Sequence, residues 1–206
     1  MHLPEAYAAA IEAAVSRIPG RDLTRAAETL SARYRDVSVS MDAGLDRPLT
    51  DAERAAYLIV RAPATFAAVT AVLGELRERR PEFTARRILD LGAGPGIATW
   101  AALAMFDEVT EVTLVERDRG FAALGREILD ASASAADTTA IRWKQSDLRE
   151  WARDAPNPAS YDLVVISYAI GELIADVRGR VIDAAWRATA ADGALVIVEP
   201  GTPRHF

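Results

Sequence analysis

The residues best placed to do chemistry lie in one short segment, in which an acidic residue precedes three alternating glycines. Residues 90–96 read Asp-Leu-Gly-Ala-Gly-Pro-Gly, and they follow an apolar run that starts at Ile88. Glycine is required where the backbone takes a positive φ, or where a ligand must approach closer than a Cβ allows. A buried strand, a tight loop and a helix over Ile97–Phe106 are therefore predicted, and the first amides of that helix would point at a ligand above the loop.

The spacing of the glycines separates two classes of ligand. The dinucleotide motif G-x-G-x-x-G would require glycine at position 97, where the sequence has isoleucine. Asp90 would repel a pyrophosphate, whereas it would attract a ligand that carries an ammonium and a sulfonium. The pattern D-x-G-x-G-x-G resembles the first motif of class I methyltransferases that depend on S-adenosylmethionine (SAM). The alternative is a glycine-rich turn that binds nothing.

The 206 residues contain no cysteine and only two histidines, His2 and His205, at opposite ends of the sequence. The lack of cysteine excludes disulfides, thiolate metal sites, iron–sulfur clusters and a cysteine nucleophile within this sequence, and we expect no metal in it. No apolar run is long enough to cross a bilayer, and the first seven residues lack the basic region of a signal peptide. The sequence therefore predicts a cytoplasmic protein with no membrane partner.

Charge is distributed unevenly in a sequence whose net charge is −6. Residues 1–87 hold 13 arginines against 12 acidic residues, whereas residues 88–206 hold 11 basic against 18 acidic residues. The half with the glycine motif is thus acidic, which does not favour a polyanionic substrate. An arginine cluster has two interpretations, as a solvated face interleaved with glutamates or as a contact for RNA phosphates. Its members are Arg77, Arg79, Arg80, Arg86 and Arg87.

Apolar stripes at helical spacing predict an N-terminal helical subdomain over residues 1–80. Two helices, the second capped by Asp22, are expected to pack as a hairpin ahead of a loop over Ser38–Leu49. A capping box then opens a third helix at Thr50. Pro63 is expected to break this helix, because proline lacks the backbone donor that a helix interior needs.

From residue 81 onward, apolar strands alternate with amphipathic helices. The strands are predicted at residues 88–91, 108–115, 141–145, 161–167 and 194–199. Such alternation predicts an α/β fold with an open, doubly wound, mostly parallel and Rossmann-like sheet over residues 81–206. The sixth and seventh strands of the class I methyltransferase fold are missing from this pattern, so the fifth strand is expected to form an exposed edge.

In such a sheet, ligands bind outside the carboxyl ends of the strands, where the strand order reverses. Glu116 ends the second strand and is placed to bind ribose hydroxyls, unless it is only a surface charge. In the methyltransferase pattern, Asp147 after the third strand accepts from the adenine amino group, and it can also cap the next helix. The predicted cofactor-binding residues are Asp90, Gly92, Ala93, Gly94, Gly96, Glu116, Arg117, Ser146, Asp147, Leu148 and Ser167.

Two residues after the fourth strand, Tyr168 and Glu172, are the catalytic candidates, since either can hold or deprotonate a methyl acceptor. A base is needed only if the acceptor must lose a proton. Residues 167–170 read Ser-Tyr-Ala-Ile rather than the Asn/Asp-Pro-Pro-Tyr of amine methyltransferases, which counts against exocyclic-amine chemistry. In the alternative interpretation, Tyr168 only packs and Glu172 only opens a helix.

Four segments together resemble the Rsm22 family, which comprises methyltransferase-like proteins of the small ribosomal subunit in bacteria and mitochondria. They are residues 57–65, 89–100, 167–173 and 199–203, the last of which reads Glu-Pro-Gly-Thr-Pro. The resemblance implies a SAM-binding domain that acts on, or assembles with, the small ribosomal subunit and its rRNA. The family continues with a cysteine-bearing region suited to an iron–sulfur cluster, whereas this sequence has no cysteine.

Three functions follow as hypotheses. The first is a SAM-dependent methyltransferase that works on rRNA in ribosome biogenesis. The second is an assembly factor that binds SAM and rRNA but catalyses nothing. The third is a small-molecule methyltransferase, which the acidic half of the sequence favours.

Overall fold

Five parallel strands form one sheet in the computed structural model, which describes residues 3–35, 48–132, 139–154 and 160–201. The strands are β1 (Arg87–Leu91), β2 (Glu111–Glu116), β3 (Ala140–Gln145), β4 (Tyr161–Ser167) and β5 (Thr189–Val198). Their spatial order is β3-β2-β1-β4-β5, and every neighbouring pair is parallel. This order confirms the predicted open, doubly wound sheet. The predicted loop over Ser38–Leu49 lies mostly outside the described residues.

Seven α-helices cover the sheet in the described part of the chain. They are α1 (Glu5–Val15), α2 (Gly20–Arg35), α3 (Asp51–Arg79), α4 (Ile97–Leu103), α5 (Arg119–Ser132), α6 (Leu148–Arg153) and α7 (Ala175–Ala188). A single 3₁₀ turn, Ile170–Glu172, lies between β4 and α7. The helices and strands alternate from β1 onward, as the sequence predicts.

The two faces of the sheet bury different side chains of the same strands. Ile88 and Leu163 pack into a cluster with α1, α3, α4 and α5, whereas Leu89 and Val164 pack into a second cluster with α6 and α7. Successive side chains of a strand point to opposite faces, so both must be apolar where both faces are covered. This is why the strands read as continuous apolar runs rather than as alternating ones.

The predicted hairpin of the first two helices is wrong. In the described residues, α1 packs mainly against α5 and α2 mainly against α3. Ile11 and Val15 of α1 join the apolar cluster beneath the sheet, which offers more apolar surface than α2 alone. The start of α2 also differs from the prediction, since the helix begins at Gly20 and Asp22 lies within its first turn.

The predicted break at Pro63 is also wrong, because this proline lies inside α3, which is 29 residues long in total. Proline removes one helix hydrogen bond, but Leu58, Phe66 and Leu73 are fully buried on one face, and this packing stabilises the uninterrupted helix. The capping box at Thr50 is confirmed. Contrary to the expectation that no apolar run is long enough to cross a bilayer, α3 is long and apolar enough by length and composition alone. Of its most apolar 18-residue window, 44% is buried inside the protein.

Strand β5 begins earlier than predicted, at Thr189 rather than at residue 194. Its pairing with β4 shifts register between Tyr161 and Leu163, where residues 190–193 bulge out of the ladder. β5 is an edge strand of the described sheet. The boundary predicted between residues 80 and 81 stays a prediction, although one apolar cluster extends across it.

Candidate functional site

The carboxyl ends of the strands bring the predicted site residues to one rim of the sheet. β1 lies between β2 and β4, so the connections leave it in opposite directions and open a crevice above its end. Leu91 pairs with Val115 on one side and with Ile166 on the other. The glycine loop therefore starts at the level where the two neighbouring strands end, β2 at Glu116 and β4 at Ser167.

The loop after β1 needs glycine for two separate reasons. Gly92, Gly94 and Gly96 all have positive φ, of 70°, 55° and 89°. A Cβ on Gly92 would lie 2.5 Å from the Cβ of Ala169 in the loop after β4, whereas a Cβ on Gly94 would meet nothing within 4 Å. The amides of Gly92 and Ala93 donate to the Val115 carbonyl over 2.9 and 3.0 Å, which ties the loop to β2. Of the three glycines, only Gly94 therefore has free space where a Cβ would stand, and we call it the open point of the loop.

Asp90 lies beneath this loop and is completely buried. Its Oδ2 accepts from the Thr99 amide over 3.1 Å and from the Thr99 hydroxyl over 2.8 Å. Thr99 is in the first turn of α4, whose N-cap is Gly96, a residue without a side chain. Asp90 thus provides the cap that Gly96 lacks. Its Oδ1 is buried without a hydrogen-bond partner in the described part of the chain.

Burial raises the pKa of Asp90 to about 7, and the hydrogen bonds from Thr99 only partly oppose this effect. The nearby carboxylate of Glu116 raises it further. The predicted role of Asp90 toward a cationic ligand stays a prediction. Its unpartnered oxygen is the atom that such a role requires.

Glu116 is the last residue of β2, and its carboxylate is hydrogen-bonded to the backbone on both sides. Oε2 accepts from the Gly94 amide and Oε1 from the Asp118 amide, each over 2.7 Å. Burial raises the pKa of Glu116, while these two amides act to lower it. Each oxygen keeps a second lone pair for another donor. The side chain is thus oriented against the glycine loop, and its predicted contact with ribose stays a prediction.

The third strand delivers Asp147 to the same rim. Its side chain accepts from the Arg149 amide over 2.7 Å, which confirms the predicted cap of α6. Arg117 approaches its other oxygen to 3.9 Å, and the Ser146 hydroxyl donates to its carbonyl over 3.1 Å. Leu148 is buried, and its Cδ1 would lie 3.5 Å from a Cβ placed on Gly92. These residues lie together as predicted, and their contacts with adenine stay predictions.

The loop after β4 carries the two catalytic candidates. Tyr168 has a φ of 53°, a left-handed conformation that is strained for a bulky residue. Its amide donates to the Val198 carbonyl over 2.8 Å, and its ring packs against the apolar cluster of α3 and α4. Glu172 is exposed at the end of the 3₁₀ turn, so it opens no α-helix. The catalytic role of each residue stays a prediction.

Two features of the rim were missed by sequence reasoning. Glu199, after β5, accepts from the amides of Ile170 and Gly171 over 2.9 and 3.2 Å, and so holds the loop after β4. The guanidinium of Arg54 in α3 binds both oxygens of Asp118, over 2.8 and 3.0 Å. Asp118 also accepts from the Phe121 amide in the first turn of α5. An aspartate directly before a helix, as Asp118 is before α5, is the residue type that commonly forms such a cap.

The described residues contain no group of three or more His, Asp or Glu side chains that could hold a metal ion. The rim therefore combines carboxylates, glycine amides and an open point at Gly94. Carboxylates accept from hydroxyl, amino and ammonium groups. This arrangement suits a ligand that carries such donors.

Solved structures show the fold that this chain shares. An O-methyltransferase family protein from Burkholderia thailandensis has a TM-score of 0.64, with 16% identity over 85% of this chain and 52% of its own. A DhpI–SAM–HEP complex has a TM-score of 0.54, with 22% identity over 74% of this chain and 63% of its own. The phosphoethanolamine N-methyltransferase 1 of Haemonchus contortus, in complex with phosphoethanolamine and S-adenosylhomocysteine, has a TM-score of 0.52 and 18% identity over 84% of this chain and 34% of its own. The chain has the fold of class I methyltransferases.

Two comparisons of sequence indicate one family. The mitochondrial ribosome assembly protein METTL17 of Homo sapiens is 28% identical over 148 residues, which are 71% of this chain and 31% of METTL17. The chain thus spans about a third of this relative. The model of the family described as mitochondrial small ribosomal subunit Rsm22 matches residues 51–206, from the start of α3 onward. The chain belongs to the Rsm22 family.

Proposed function

We propose that this chain binds SAM at the rim and acts as a methyltransferase-like protein in the assembly of the small ribosomal subunit. The observation that carries the proposal is the glycine loop whose open point, Gly94, is hydrogen-bonded to Glu116 at the switch point of the sheet. Membership of the Rsm22 family supports the ribosomal part of the proposal. The cytoplasmic location stays a prediction from the sequence.

The residues at the rim fit SAM by the chemistry of their donors and acceptors. Glu116 would accept from the ribose hydroxyls and Asp147 from the adenine amino group. The unpartnered oxygen of Asp90 would favour the positive charge of the methionine part. When bound, SAM would supply a methyl carbon on a sulfonium, open to in-line attack by a nucleophile with S-adenosylhomocysteine as the leaving thioether.

Positioning provides most of the acceleration of such a displacement, and this chain would contribute it through the rigid loops at the rim. The loop after β4, held by Glu199, would present Tyr168 and Glu172 to the acceptor. These two residues would orient the acceptor or take its proton. The sequence Ser-Tyr-Ala-Ile of that loop favours a second candidate, an assembly factor that binds SAM without transferring the methyl group.

Calorimetric titration with SAM tests the cofactor site. We expect wild-type protein to bind, and Glu116→Gln to weaken binding by roughly tenfold or more. The side-chain amide would turn a donor toward either Gly94 or Asp118, and one charged acceptor for ribose would be lost. Glu111→Gln is the matched control, since Glu111 lies at the opposite end of β2 and pairs with Arg142. A wild-type protein that gives no binding heat would contradict the proposal.

Methyl-labelled SAM then separates the two candidates. The wild-type protein is incubated with small ribosomal subunits, and the label is counted in the rRNA and in small-molecule extracts. Label in rRNA supports methyl transfer during assembly. A binding heat without label in either fraction supports the assembly factor, and label confined to small molecules contradicts a ribosomal substrate.

A further inference from the structure

The arginine cluster at the end of α3 is used by the fold itself. Arg80 donates to the carbonyls of Gly193 and Asp192 over 3.1 and 2.8 Å, and so ties α3 to β5. Arg77 donates to the Met105 carbonyl over 3.2 Å. Two of the five arginines of this cluster therefore bind backbone carbonyls of the fold itself.

A groove between α6 and α7 gathers four other arginines on the opposite face of the sheet. The groove has a volume of about 440 Å³, and its charged lining consists of Arg149, Arg153, Arg180, Arg187 and a single acid, Asp183. Residues 88–206 are acidic overall, with 18 acidic against 11 basic residues. More than a third of the basic residues of this half therefore line one groove.

The arginines of this groove are available to a ligand. Arg149 and Arg187 are exposed, and no side-chain hydrogen bond or ion pair joins either of them to a described residue. Arg153 pairs with Asp154 and Arg180 with Asp176, but the two arginine side chains are 71% and 61% exposed. Exposed ion pairs contribute little, so a phosphate can replace either carboxylate. Each guanidinium also keeps donors that a single carboxylate does not use.

An exposed aromatic residue of α7 directly precedes one of the groove's arginines in sequence. Trp186 is 66% exposed on α7, next to Arg187. A tryptophan this exposed is unusual for a side chain of its size. Arginines alongside an exposed aromatic ring form the combination with which proteins bind single-stranded nucleic acid, because phosphates pair with the former and bases stack on the latter.

The groove leads to the rim that carries the candidate cofactor site. α6 follows β3 and α7 follows β4, so both helices start at the carboxyl ends of their strands. Arg149 is in the first turn of α6, two residues beyond Asp147, while Arg187 lies in the last turn of α7. α7 is about 20 Å long, which is enough for several nucleotides. A strand lying in the groove would end beside the glycine loop.

We propose that the groove between α6 and α7 binds the phosphate backbone of single-stranded RNA and guides it to the rim. The proposal rests on the proposed role at the small ribosomal subunit, and it names the surface that would meet the RNA. The phosphates pair with Arg149, Arg153, Arg180 and Arg187, and one base stacks on Trp186.

Fluorescence anisotropy with a labelled, mixed-sequence RNA of about 12 nucleotides tests the proposal over a range of salt concentrations. We expect Arg149→Gln with Arg187→Gln to weaken binding and to reduce the slope of log K against log salt by about 1.4, or 0.7 for each lost phosphate contact. Trp186→Ala is expected to weaken binding roughly fivefold to hundredfold, with an unchanged slope. The matched control is Arg21→Gln with Arg25→Gln on α2, which removes the same charge from the other face.

The proposal is overturned if the α6–α7 double variant binds RNA as tightly as wild type, or if the control pair weakens binding equally. It is also overturned if vesicles with anionic lipid displace the RNA from the groove at equal phosphate concentration. SAM titration of the same variants keeps the two proposals distinguishable. We expect unchanged SAM affinity in the double variant, and a wild type that binds RNA through the groove but not SAM contradicts only the cofactor proposal.

Discussion

At the scale of single residues, the two oxygens of the Asp90 carboxylate differ in their hydrogen bonding. One oxygen caps α4 through Thr99, while the other is buried without a hydrogen-bond partner among the described residues. An unpaired buried polar atom costs roughly 1–3 kcal/mol, and a buried charge costs more. The cap stabilises the start of α4, whereas the unpaired oxygen makes the burial of this carboxylate costly.

Asp90 makes the stability of the fold depend on pH. Because its pKa in the folded protein, about 7, lies above the value near 4 of an unfolded chain, the folded state binds more protons between these pH values. The free energy of unfolding therefore falls as pH rises from about 4 to 7. Asp90→Asn keeps the acceptor for Thr99 but does not titrate. Between about pH 4 and pH 7, we therefore expect the free energy of unfolding of the variant to rise relative to that of wild type, by up to a few kcal/mol.

Urea denaturation of the Asp90→Asn variant and wild type at pH 5 and pH 8 measures this difference. Asp130→Asn is the control, because Asp130 is exposed on α5. If the difference between Asp90→Asn and wild type is the same at both pH values, the assignment of a raised pKa to Asp90 is wrong.

Alanine substitutions at Gly92 and Gly94 distinguish the cost of backbone strain from the cost of a steric collision. Both residues have positive φ, but only a Cβ on Gly92 would collide, at 2.5 Å from Ala169. We expect Gly94→Ala to lower the free energy of unfolding by about 1–2 kcal/mol, from strain alone. Gly92→Ala should lower it by roughly 1–3 kcal/mol more, because the loops after β1 and β4 must move apart. Equal losses in chemical denaturation would show that the loops are not in contact.

At the scale of secondary-structure elements, the helices are fastened to the rim by side chains distant in sequence. The guanidinium of Arg54 joins α3 to the start of α5, and the side chains of Arg54 and Asp118 are only 12% and 18% exposed. Burial acts to raise the pKa of Asp118, but the hydrogen bonds from Arg54 and the Phe121 amide outweigh it and lower that pKa. The ion pair thus holds the short segment between β2 and α5 against α3.

A double-mutant cycle of Arg54→Met and Asp118→Asn measures this link. We expect a coupling free energy of about 1–3 kcal/mol, because the two groups form a bidentate, partly desolvated pair. The exposed pair of Arg79 and Glu75 on α3 is the control, with an expected coupling of about 0.5 kcal/mol or less. A coupling for Arg54 and Asp118 no larger than that of the control would rule out a structural role for this pair.

At the scale of the whole molecule, the N-terminal helices and the sheet share one apolar cluster. Tyr7 of α1 stacks on Trp100 of α4, with 5.2 Å between ring centroids and 15° between ring planes. Ile11 and Phe66 belong to the same cluster as Ile88 and Val112. Two regions that bury their apolar surface in each other are expected to unfold together.

We therefore expect one cooperative unfolding transition, with the same midpoint by far-ultraviolet circular dichroism and by tryptophan fluorescence. Tyr7→Ala should lower the free energy of unfolding by about 1–3 kcal/mol and move both midpoints equally, because Tyr7 is only partly buried. Two separate transitions would instead support independent folding of the region predicted over residues 1–80.

The elements that the sequence predicted well are those set by local patterns. The apolar run of β4, the three glycines after β1 and the capping box of α3 each depend on residues within a few positions of one another. Their order along the chain was enough to predict the parallel sheet, and hence the rim where Asp90, Glu116 and Asp147 would gather.

Only the tertiary structure decided which groups each side chain meets. Pro63 stays inside α3 because a buried face stabilises the helix beyond the lost hydrogen bond, and α1 packs on α5 because apolar surface is available there. Asp90 caps a helix nine residues away, and Arg54 reaches Asp118 across 64 positions. A sequence specifies local conformation through neighbours, whereas burial and pairing depend on the whole fold bringing distant residues together.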